Sequence, residues 1–114
     1  MVTENETWII ETGDVVIHKM ADLGESSLSK IEHSIYCFWV VDYSIRNSGT
    51  LYPMEDIYPN ALVQLNQFAK ENNCSHLSLL SNLALINDEE NFRDNFYNHF
   101  ELACDEIRNL SESH

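Results

Sequence analysis

An all-α fold, a single compact domain of about five helices, is what this sequence predicts, and three observations carry that expectation. Apolar residues between Glu90 and Leu110 recur at the helical period. Ser27 to Asn47 reads as a second helix with its own start and stop signals. The 114 residues show no internal repeat, linker or low-complexity tract, which suits one domain of ordinary size. The alternative is an α+β fold with an N-terminal hairpin.

The first 25 residues support either version. Trp8-Ile9-Ile10 and Val15-Val16-Ile17 flank Glu11-Thr12-Gly13-Asp14, which would suit a hairpin over residues 8–18. Ile9, Val16, Met20 and Leu23 also share a helical face, and Leu23-Gly24 would end such a helix. Residues 1–6 and 111–114 are expected to fray. In the second segment, Ser29 and Glu32 fit the Ser-x-x-Glu capping box. Leu28, Ile31, Ile35, Phe38 and Ile45 share a face, and Gly49 stands where a helix would end. The run Ile35 to Val41 is apolar all round and alone would also suit a buried strand, but its polar flanks continue the helical period, which predicts a central, largely buried helix.

Glu55 to Asn72 reads as one helix through Ile57, Ala61, Leu62, Leu65 and Phe68, with Pro59 in its first turns. Asn72-Asn73 marks a break. Ser75 is expected to cap a short helix containing Leu77, Leu79, Leu80, Leu83 and Leu85. In the last helix Phe92, Phe96, Phe100, Ala103, Ile107 and Leu110 fall within an arc of about 80°. Asp88 is its expected N-cap.

The charge narrows function. Nineteen Asp and Glu against six Lys and Arg leave a formal net charge of −13. Direct nucleic-acid binding needs clustered cations, and an anionic membrane surface repels such a chain. Disorder is disfavoured, because 44% of residues are hydrophobic and 11% aromatic. No stretch approaches the ~20 apolar residues of a membrane span. The acidic start, Met1 to Glu6, lacks the basic residues of a secretion signal. Cys37, Cys74 and Cys104 have no paired spacing and read as buried thiols of a reduced, cytosolic protein. The five histidines have no partners at metal-ligand spacing, and no metal or cofactor is expected. There is no Gly-rich phosphate loop, His-Glu-x-x-His pair or Gly-x-Ser-x-Gly elbow. Glu32-His33 with Asp42, or His99 with Glu101 and Cys104, are neighbours of the kind chance supplies. The expectation is a protein that is not an enzyme.

The candidate binding residues lie on the last helix. Glu90, Asp94, Glu101 and Asp105 share a helical stripe that would span ~22 Å at ~1.5 Å per residue. Glu112 extends it, and Arg108 interrupts it. Such a row suits a basic DNA-binding groove, although solvated helix faces also look like this. Asp42 falls on the apolar face of the central helix and reads either as a binding or catalytic carboxyl whose pKa burial raises or, preferred, as a structural hydrogen-bond acceptor, for instance to backbone amides of the Asn47-Ser48-Gly49 turn. Asn47 and Gly49 both suit left-handed backbone there. Trp39, Tyr52 and Tyr58 read either as the lining of a partner pocket or, preferred, as core with exposed tyrosyl tips. The apolar residues between Thr50 and Tyr58 leave two options, a homodimer patch or packing within the monomer.

One stretch also carries a family pattern. Leu28-Ser29-Lys30-Ile31-Glu32-His33-Ser34-Ile35-Tyr36 precedes Trp39-Val40-Val41-Asp42-Tyr43 and then Arg46-Asn47-Ser48-Gly49-Thr50-Leu51-Tyr52. With Phe96-Tyr97 in an acidic closing helix, this resembles the DNA-mimic-protein family of small acidic helical domains, long catalogued as a domain of unknown function. The likeness runs over roughly residues 8 to 110. The turn departs from the family's Asn-Gly-Gly, reading Asn47-Ser48-Gly49. The resemblance implies an all-α, non-catalytic domain presenting carboxylates like DNA phosphates to a basic, DNA-binding protein. A second reading from size and acidity is an immunity or antitoxin protein that plugs the groove of a nuclease toxin.

Overall fold

The computed structural model describes residues 3–86 and 89–113. Among these residues every regular element is helical: α1 (Glu4–Leu23), α2 (Lys30–Ser48), α3 (Tyr52–Ile57), α4 (Ala61–Glu71), α5 (Ser75–Leu85) and α6 (Glu89–Ser113), with one 3₁₀ turn at Glu25–Ser27. The α+β alternative is not supported, and the described residues form six helices where about five are expected.

Residues 8–18 lie within α1. Thr3 and Glu6 close a capping box at its start, so residues 4–6 form the first helical turn. Gly13 is a packing residue and not a hairpin turn. A Cβ there would lie 2.6 Å from Cδ1 of Trp39, so only glycine lets α1 approach α2 this closely.

The centre of the molecule is α2, which packs against α1, α3, α4 and α6. Ser29 and Glu32 form the capping box at its start. Gly49 ends it with φ 72°, and its N–H donates to the Ile45 carbonyl at 2.9 Å. Asn47 is helical, and its amide donates to the Tyr43 carbonyl at 2.9 Å. The left-handed position therefore falls to Gly49 alone.

The helix expected over Glu55–Asn72 is two helices. Pro59 clashes with an α conformation at the residue before it, and Tyr58 is extended at φ −160°, ψ 89°. That kink separates α3 from α4. Asn73 turns the chain at φ 57°, and the N-cap of α5 is Cys74, one residue before the expected Ser75. Cys74 makes no side-chain cap bond. Instead Glu106 of α6 accepts from the backbone N–H of His76 at 3.2 Å and of Leu77 at 2.9 Å. The expected N-cap of the last helix, Asp88, lies outside the described residues.

The core joins α2 to α6. Phe92, Phe96, Phe100, Ala103 and Ile107 are buried, and the ring of Phe100 stacks on Phe38 at 5.6 Å. Cys37, Cys74 and Cys104 are buried free thiols. Among the described residues no buried side-chain nitrogen or oxygen lacks a hydrogen-bond partner. No helix there is long and apolar enough to cross a membrane.

Candidate functional site

The 25 residues of α6 carry the acidic row. Its aromatic face is buried, which turns Glu90, Asp94 and Asp105 toward solvent, with Glu101 half-buried. The two halves of the row have different surroundings. The start of α1 crosses the second half, where buried Asn5 donates to Glu101 Oε2 at 2.7 Å and to Asp105 Oδ1 at 2.9 Å. Arg108 donates to Asn5 Oδ1 at 3.2 Å, to Glu4 at 2.9 Å and to Glu112 at 3.1 Å. Its hydrogen bonds to Glu4 and then to Glu112 raise its pKa further. Arg108 thus neutralises the flank of the row. Glu90 and Asp94 lie on the half that is exposed, and the hydrogen bonds between α1 and α6 fall on the other half. Among the described residues none of these four carboxylates has a lysine or arginine within ion-pair distance.

Asp42 is buried, as its place on the apolar face predicts, but its partner is not the turn. Arg46, one helical turn on, donates from Nε to Asp42 Oδ1 at 2.6 Å and pairs with Glu6 of α1 at 3.1 Å. The guanidinium also sits 4.7 Å from the Phe100 ring centre and 5.6 Å from that of Tyr97. A side chain that can reach both the aromatic face and a carboxylate displaces the turn amides as partner. Burial pushes the Asp42 carboxyl above its ordinary range, and Arg46 holds that shift back. Burial opposes the charge of Arg46, yet the bond to Asp42 and the charges of Asp42 and Glu6 raise its pKa overall. This cluster ties α1, α2 and α6 together. The Gly49 carbonyl, for its part, accepts from Arg93 of α6 at 3.3 Å.

Two histidine clusters were not legible from spacing. His33 Nε2 lies 3.1 Å from Glu25 and 3.2 Å from the Tyr58 hydroxyl, which itself donates to Glu25 at 2.8 Å. This network staples the turn before α2 to the kink between α3 and α4. Burial, then the bond to Glu25, pushes Tyr58 up to about 12. Tyr58 and then His33 lower Glu25. Cys37 Sγ lies 3.9 Å from His33 Nδ1, and burial pushes this thiol up to about 12, which disfavours the thiolate. An open pocket of about 380 Å³ beside His33 is lined by Lys30, Gln64, Gln67 and Glu71 among others. Second, His76 and His99 meet across α5 and α6 with their Nδ1 atoms 3.2 Å apart. His99 therefore faces His76, and buried Cys104 bonds the Asn5 carbonyl at 3.8 Å. Among the described residues no group of three His, Cys, Asp or Glu could hold a metal ion.

Fold and surface together define a small, acidic, all-helical domain. No protein-family model, curated protein or solved structure matches the chain.

Proposed function

We propose that this chain is a non-enzymatic acidic interaction domain that acts as a DNA mimic and binds a basic DNA-binding protein. What supports this reading is the row Glu90, Asp94, Glu101 and Asp105 on one continuous helix, without a lysine or arginine pairing it among the described residues. Its ~22 Å length at ~1.5 Å rise per residue matches about six base-pair steps at ~3.4 Å. Unpaired carboxylates repel one another and gain from a cationic partner, which speeds encounter and selects against acidic surfaces.

The test is a set of isosteric substitutions, because Glu101 and Asp105 also hold Asn5. Glu90→Gln, Asp94→Asn, Glu101→Gln and Asp105→Asn keep the shapes and remove the charges. The unmodified chain should retain a DNA-binding protein from host extract at low salt and lose it to added duplex DNA. The fourfold variant should retain little of it. Equal retention by the variant overturns α6 as the site. Retention of a nuclease whose cleavage is then blocked replaces this reading with the immunity one.

A further inference from the structure

Residues of α3, α4 and α5 line an open cleft of about 760 Å³, and none of the four α6 row carboxylates lines it. Its apolar walls come from Tyr52 on α3, Leu62 and Val63 on α4, and Leu85 on α5. Tyr52 is 78% exposed, Val63 56% and Leu85 40%, and Ile86 beyond the end of α5 is 69% exposed. Scattered apolar residues on a surface are ordinary, but a contiguous apolar groove marks a contact site. Glu55 and Asp56 also line it, and no lysine, arginine or histidine does among the described residues.

The shape selects the occupant. With Tyr52 and Val63 this exposed, the cleft covers a ligand on one side only, whereas a small-molecule site buries ~70–90% of its ligand. A helix laid into a groove suits it, with apolar anchors recurring at i, i+3, i+4 and i+7. The charge selects further. A second copy seated through the same patch would set Glu55 and Asp56 against themselves, on two chains of −13 each. A helix with Lys or Arg beside its apolar stripe meets those carboxylates favourably.

We infer that the α3–α4–α5 cleft docks an amphipathic, basic helix of a protein partner, its apolar side chains between Tyr52, Val63 and Leu85 and its cations on Glu55 and Asp56. The inference shares with the proposed function only the sign of the partner's charge, and it uses a different surface.

The probe is a synthetic helical peptide with Leu at i, i+3, i+4 and i+7 and Lys at flanking positions, beside a control with Glu for Lys. Each is titrated into the full chain by fluorescence anisotropy. The Lys peptide should bind and the Glu peptide should not. Val63→Asp and Leu85→Asp, at positions already exposed, should weaken binding about tenfold or more with the circular dichroism unchanged. Glu55→Gln with Asp56→Asn should weaken it by roughly three- to tenfold, and less at high salt. Binding that survives the cleft substitutions but falls with Glu90→Gln and Asp94→Asn overturns the cleft and leaves the proposed function standing. Failure of both peptides overturns the cleft without touching the α6 test. Self-association in sedimentation that Val63→Asp abolishes overturns it in favour of a second copy.

Discussion

The two halves of the α6 acidic row have the same residue types and the same spacing but different neighbours. Glu101 and Asp105 hold the amide of Asn5, beside an arginine shared with Glu4 and Glu112. Glu90 and Asp94 face solvent. The difference teaches that one charge pattern can serve two purposes. The second half joins the first and last helices, while the first half is exposed and makes no ion pair among the described residues.

The largest effect should come from the aromatic floor under the seam. Phe100→Ala removes the stack on Phe38 and the ring beneath Arg46, and should lower stability by about 3–5 kcal/mol in urea unfolding. A loss below about 1 kcal/mol would show that the core does not hold the seam in place. Gly13→Ala drives a methyl into Trp39 and should cost about 1–3 kcal/mol, against the usual gain for Gly→Ala in a helix. A stabilised variant would mean that α1 and α2 separate easily.

Asn5→Ala leaves Glu101 and Asp105 facing each other without their shared donor. It should cost about 1–3 kcal/mol and raise amide exchange at the start of α1 before the rest of the chain. Asp42 adds a test by pH. Its folded pKa is raised, so its contribution is fully present below the ordinary 3.8 and is lost as pH climbs through the folded value. The stability advantage of the unmodified chain over Asp42→Asn should therefore shrink as pH rises through that window. An advantage that grows would show that pairing with Arg46 outweighs burial. The smallest effect belongs to the free half. Glu90→Gln with Asp94→Asn should change stability by less than about 0.5 kcal/mol while weakening partner binding. A large stability loss there would erase the contrast between the halves.

Much of the architecture was legible in spacing. The α6 stripe, the Ser29–Glu32 box and the Gly49 cap are relations between residues a few positions apart, set by backbone geometry that any chain must obey. The break at Tyr58-Pro59 and the Asp42–Arg46 pair are equally local. Both could have been found, the first from the clash that proline imposes on its predecessor and the second from i,i+4 spacing. No such signal existed for the rest. Asn5 meets Glu101 across 96 positions, Glu106 caps α5 from 29 to 31 positions away, and His76 meets His99 only because α5 packs on α6. The sequence by itself determined the helices, the burial of the aromatic face and the excess of negative charge. Tertiary structure alone decided which carboxylates are held, which are free and where an apolar cleft stays open, because those depend on how helices cross and not on the period of any one of them.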